Sequence, residues 1–241
     1  MEVMKPMERS SEKGSASRSP FQHIRKALGH VRRSVTFDVY DFFICRYSEH
    51  SEGLAAAQPP AGYAIRFAST EEVTGADVLH TELDERERIE GVTRLGFGHR
   101  CVAIFHGDLM VFSMWENPRN ANVPGLVKRK LSDGQSFLYK AYTSPEHRGQ
   151  RLYQAGLAFA LRSIAAEGKA ETVGYAHIKK KASRAGLARL GYHEVGRVRQ
   201  LTAPGLHRTW ADSAFDVSFP DKVPRTGAVA KHPVGERGTR L

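Results

Sequence analysis

Between His147 and Tyr153 the chain reads His-Arg-Gly-Gln-Arg-Leu-Tyr, directly after an aromatic, apolar run from Phe137 to Thr143 and a Ser144-Pro145 break. The composition of that run, bounded by turn formers, predicts a strand. Leu152, Gly156, Leu157, Ala160, Leu161 and Ile164 then recur at helical spacing, and Gly168 supplies a stop. A strand, a tight Arg-Gly turn and a helix amino end form a general device for anions. Free backbone N–H groups converge there, and the helix dipole favours negative charge. The ligand this predicts is the pyrophosphate of a coenzyme. Lys179-Lys180-Lys181 either meets a phosphate of that ligand or forms a solvated charge run, the commoner fate of such a triplet.

Other chemistries find less support. Cys45 and Cys101 are the only cysteines, and each sits inside an apolar, strand-like run, so burial is expected rather than catalysis or a disulfide. No His, Cys or carboxylate spacing resembles a metal-ligand set, so no metal is expected. A formal net charge of +10 suggests an anionic partner, but the basic residues crowd into the extensions. Residues 1–35 hold eight basic and three acidic residues, and residues 213–241 hold five and three. A nucleic-acid reading has no recognition helix and no aromatic interleaving behind it, so no specific nucleic acid is expected.

The elements that must position the turn follow from the chain in order. Residues 1–20 are polar and Ser-rich and read as a disordered tail. Phe21, Ile24, Leu28, Val31 and Val35 lie on one face of a basic amphipathic helix, which either docks on the protein or touches a membrane surface peripherally. Val39–Tyr47 is strand-like and free to pair with a core sheet, and a Pro59-Pro60 linker closes an extension spanning residues 21–60. Tyr63–Ala68 alternates like a strand. Thr70–Arg94 reads as mostly helical, with Val73, Val78, Leu79, Leu83 and Ile89 as buried positions. A hairpin joins Cys101–Phe105 to Leu109–Trp115 through His106-Gly107-Asp108. Asn117–Gln135 is polar and reads as a substrate-side loop. Beyond the central helix come a strand (Glu171–Ile178), a short helix (Ala182–Leu190) and closing strands over Glu194–Thr202 and Leu206–Trp210. From Ser213 onward a mobile tail is expected. This order is mixed α/β, with one main domain over residues 61–212. No apolar run reaches the roughly 20 residues that span a bilayer, and the amino end lacks a secretion signal, so a cytoplasmic protein is expected.

The strand, Arg148-Gly149 turn, helix, Ser183 and Leu190-Gly191-Tyr192 together resemble the GNAT superfamily of N-acyltransferases, over roughly Tyr63 to Leu201. The family pattern is Arg-Gly-x-Gly-x-Gly, followed downstream by Asn-x-x-Ser and Leu-Gly-Phe. Here Arg151 and Tyr153 replace the second and third turn glycines, and Lys180 stands where Asn is frequent. Leu187 stands where many members carry a Tyr that protonates the departing thiolate. Proteins of bacterial polysaccharide gene clusters, with their basic amino-terminal extensions, look particularly similar.

The resemblance implies a GNAT-like central mixed sheet flanked by helices, in which the strands Phe137–Thr143 and Glu171–Ile178 splay apart. It implies acetyl-CoA as co-substrate and direct acetyl transfer to a primary amine of a small molecule, an amino sugar among the acceptors, with a homodimer admitted. Backbone groups of Tyr142 and Thr143 would pair with the pantetheine arm. Arg148, Gly149, Gln150, Arg151, Leu152 and Tyr153 would hold the pyrophosphate, and Ser183 completes the coenzyme set. For acid–base work His177, at the end of the adjacent strand, has a suitable ordinary pKa. Glu116 follows the hairpin, and Tyr139, Tyr142 and Tyr153 are candidate acids. The competing reading is a GNAT-like binding or regulatory module with weak or no catalysis.

Overall fold

The computed structural model describes residues 35–47, 57–76 and 85–220. The expected tails over 1–20 and beyond 220, residues 21–34 of the expected basic helix, and Val78, Leu79 and Leu83 lie outside the described residues; Val35, the last expected on that helix's apolar face, is exposed and not helical.

The alternating and aromatic runs of the sequence become strands of one mixed sheet. They are β1 (Thr36–Arg46), β2 (Tyr63–Phe67), β3 (Arg100–His106), β4 (Leu109–Asn117), β7 (Gln135–Thr143), β8 (Glu171–His177), β9 (His193–Ala203) and β10 (Leu206–Ala211). Their order across the sheet is β10-β9-β1-β8-β7-β4-β3-β2. Every neighbouring pair is antiparallel except β7 and β8, which run parallel. Helices α1 (Thr70–Gly75), α2 (Glu85–Gly96), α3 (Leu152–Ala166), α4 (Lys181–Arg189) and α5 (Ser213–Ser218) flank it. The mixed sheet with flanking helices is the fold class the sequence implied.

The helix α3 lies on one face because its apolar stripe needs cover. Leu152, Leu157, Leu161 and Ile164 are each at most 2% exposed, packed with Ile104, Phe112 and Leu138 of the sheet. Full burial of each such side chain stabilises by roughly 1.5–3 kcal/mol. On the opposite face Phe42, Phe137, Val173 and Val198 pack beneath a small hairpin, β5 (Asn120–Val123) and β6 (Val127–Lys130), and beneath α5. A third cluster joins Val73 of α1 to Cys101 and Trp115. Both cysteines are fully buried, as expected, and form no disulfide; burial pushes the Cys101 thiol up to about 12.

The strand-like run Val39–Arg46 belongs to β1 and pairs with the core sheet as expected, as an interior strand between β8 and β9. Three expectations are corrected. Asn117–Gln135 carries the β5–β6 hairpin, which buries Ala121, Leu126 and Leu131 under the sheet instead of forming an open loop. Ser213–Phe219 is no tail. Asp212 caps α5 through the Phe215 amide, and Phe215 and Phe219 are buried against Phe42. Ile89 is 64% exposed, on the outer face of α2. No helix among the described residues is long and apolar enough to cross a membrane.

Candidate active site

Strands β7 and β8 share a ladder only from Gln135–Phe137 to Glu171–Val173. Beyond it they diverge, leaving a cleft in the middle of the sheet. Part of the divergence comes from a bulge. Between the pairs Ser113–Tyr142 and Trp115–Tyr139, β7 carries two residues, Lys140 and Ala141, against one on β4. Lys140 adopts a left-handed conformation, φ 51°, which is rare for a residue with a side chain and recurs beside functional sites. Nothing in the residue types Lys-Ala announces it.

At the carboxyl end of β7 the chain turns through Pro145–His147 into Arg148-Gly149-Gln150-Arg151 and then α3. Gly149 has φ 80°, and Arg151, at the helix cap, has φ 59°. Arg151 thus takes the left-handed geometry that glycine supplies more cheaply. The amides of residues 149–153 donate to no backbone carbonyl among the described residues, whereas those of His147 and Arg148 do. They are the free donors of a helix amino end.

These amides edge a cavity of about 490 Å³ in the cleft. Of the nine residues expected to hold a coenzyme, Tyr142, Thr143, Arg148, Gly149, Arg151, Leu152, Tyr153 and Ser183 line it, and Gln150 does not. His147, Lys180, Gly186 and Arg189 also line it. Among the described residues four cations and no carboxylate face the cavity, so its field favours an anion. Gly186 matters by size: a Cβ there would lie 2.6 Å from the Tyr153 ring, so only glycine lets α4 close on α3. Helix α4 is also pinned from behind, because Arg184 Nη2 lies 2.9 Å from Asp41 Oδ2, and the fully buried Asp41 accepts from Arg197 Nε at 2.6 Å.

A second cavity of about 240 Å³ adjoins the first, sharing Ala141, Tyr153, Lys180 and Ser183 as wall. Tyr40, Tyr139, Tyr175, His177 and Leu187 line it. The proposed acid–base groups fall differently. The His177 Nδ1 atom accepts from the Lys179 amide at 3.0 Å, so Nε2 carries the proton and donates to Asp38 Oδ1 at 3.1 Å. Tyr139 bonds His99 Nδ1 at 2.7 Å, and burial pushes its phenol far up. Glu116 lines neither cavity: it is fully buried at the other end of β4, where Arg100 Nε donates to it at 2.6 Å. Four residues of strand separate it from Phe112, the partner of Thr143, or about 13 Å. The Tyr153 hydroxyl has no hydrogen-bond partner among the described residues, and burial holds its phenol protonated well beyond the ordinary range.

No model of a known protein family matches the chain, and no curated protein matches it in sequence. Solved structures do. A functionally unknown conserved protein from Staphylococcus epidermidis superposes with a TM-score of 0.50 at 11% identity, over 78% of this chain and 69% of that one. A tandem GNAT protein from the clavulanic acid biosynthesis pathway gives 0.47 at 17% identity, over 85% and 62%. A GCN5-related N-acetyltransferase from Kribbella flavida gives 0.45 at 18%, over 76% and 66%. The chain spans less than two thirds of the length of the latter two. At such identities the likeness is one of fold alone.

Proposed function

We propose that the protein is an acyl-CoA-dependent N-acyltransferase that moves an acetyl group from acetyl-CoA to a primary amine of a small molecule. The observation that carries this reading is the parting of β7 and β8 beside a turn whose five amides are free among the described residues, with a cationic wall to which those residues add no carboxylate. The residues fit the coenzyme: the amides of 149–153 with Arg148 and Arg151 hold the diphosphate, and the unpaired edge of Tyr142 and Thr143 meets the amide-bearing arm. When bound, the coenzyme supplies an activated thioester. The chain itself aligns the acceptor nitrogen with that carbonyl at the wall the two cavities share. Neither cysteine lines either of these two cavities, which favours direct attack over an acyl-enzyme. Tyr153, protonated and unpartnered in the shared wall, supplies the proton to the leaving sulfur. His177 becomes a base only by giving up the Lys179 amide. The sequence resemblance admits an amino sugar among the acceptors, and a homodimer and a cytoplasmic site belong to the same proposal.

A binding module without turnover is the second reading, favoured by the engagement of His177 and Tyr139 and by Leu187, 2% exposed in the second cavity. Calorimetric titration with acetyl-CoA, paired with thiol release over an amine panel, separates the two. Binding with amine-dependent thiol release is the expected result. Binding alone selects the module, and no binding at millimolar acetyl-CoA rejects both.

A further inference from the structure

The second cavity has an uneven chemistry. Three aromatic rings line it, those of Tyr40, Tyr139 and Tyr175, with the Tyr40 ring edge-on to His177 at 5.0 Å. Its charged lining is basic. Lys180 reaches it with no side-chain partner among the described residues, whereas Lys140 is neutralised by Glu87 at 2.5 Å. Among the described residues no carboxylate lines it; Glu87 is engaged by Lys140 and Asp38 by His177. At about 240 Å³ it lies below the range of drug-sized pockets, so its occupant is small.

We infer that the acceptor is a small amine that also carries a carboxylate on a planar or apolar body, with Lys180 pairing that carboxylate. The inference rests on the acyltransfer reading and narrows its substrate away from amino sugars and polycations. An aromatic wall alone would attract a bare cation. The unpaired Lys180 opposes this, because a second positive charge in the same cavity is repelled. The same charge solves a chemical problem of the site. Attack requires a neutral amine, and a neighbouring ammonium lowers an amine's pKa, so Lys180 favours the nucleophilic form where no free carboxylate base stands. The carboxylate of the acceptor offsets the electrostatic cost of entry.

The test uses the full-length protein with saturating acetyl-CoA and four amines: phenylalanine, phenethylamine, glucosamine and spermidine. Phenylalanine is expected to exceed phenethylamine at least tenfold in kcat/KM, with glucosamine and spermidine lower still. In Lys180→Met that ratio is expected to fall to about unity, through KM for phenylalanine. Calorimetric titration of phenylalanine into the coenzyme-loaded protein should show the same loss of binding. Preference for any of the other three amines, transfer to none of the four by coenzyme-loaded protein, or a ratio unchanged in Lys180→Met overturns the inference. Failure of acetyl-CoA itself to bind is a different result, because it removes the acyltransfer reading beneath it.

Discussion

Gly149 stands at φ 80° with open space where a Cβ would point, so the variant Gly149→Asp can fold, Asp being among the residues that tolerate this conformation. Its carboxylate would face the same free amides as a diphosphate. Acetyl-CoA affinity measured by calorimetry is expected to fall at least tenfold, about 1.4 kcal/mol, in a variant that still melts cooperatively, at a somewhat lower temperature. Tyr153 and His177 make a contrasting pair. Tyr153→Phe removes an unpartnered acid from the shared wall and should lower kcat at least tenfold, within the range of acid–base contributions, while coenzyme affinity stays within a few-fold. His177→Gln removes a ring whose two nitrogens are already engaged, and should lower kcat less than Tyr153→Phe does. A larger effect of His177→Gln in steady-state kinetics would return the base to His177. The turn and the residues that line its cavity were legible because Gly149 and the helix stripe have a local signature. The roles of His177 and Glu116 were not, since a strand-end histidine reads alike whether or not a backbone amide occupies its lone pair. Arg100, which claims Glu116, lies sixteen residues away in sequence.

Elements whose apolar pattern is regular, such as α3 and the β3–β4 hairpin, could be read from the chain, whereas short pieces anchored by one or two aromatics could not. Helix α5 has six residues, too few for a period to emerge, and is stabilised by where Phe215 and Phe219 land. Phe215 is fully buried with its ring 4.8 Å from Phe42, and Arg129 donates to the Phe219 carbonyl and pairs with Asp216. Phe215→Ala should therefore cost about 3–5 kcal/mol in urea denaturation. Val217→Ala, on the same helix but 80% exposed, should change stability by less than about 0.5 kcal/mol. Equal midpoints for the two variants would mean that α5 does not hold the hairpin and sheet together. The hairpin itself hid because Asn120–Val123 and Val127–Lys130 are short and polar, and its burial depends on Ala121, Leu126 and Leu131 meeting a sheet face built from distant strands.

At the scale of the whole molecule, sequence order misleads about what is central. The first described strand pairs with β8 from Tyr40 to Arg46 and with β9 from Thr36 to Ile44, so it bridges the site's own strand to the far edge of the sheet. It also supplies Asp41, the buried anchor of Arg184 on α4, and hence helps set the wall that carries Lys180 and Ser183. A chain beginning at residue 35 retains these pairings and should melt cooperatively, while one beginning at residue 48 loses an interior strand and should fail to fold. The basic amino-terminal segment can then be tested apart from the fold. Five positive charges net over residues 1–35 would be attracted to an anionic surface, each basic group near it adding about 1 kcal/mol and each screened by salt. The full chain should sediment with phosphatidylserine vesicles at low salt and release as salt rises, and the chain beginning at residue 35 should not. If both chains sediment alike, the first 34 residues make no membrane contact. If neither does and the longer one melts higher, those residues stabilise the fold instead, an effect that salt should scarcely touch because burial of Ile24, Leu28 and Val31 carries no charge.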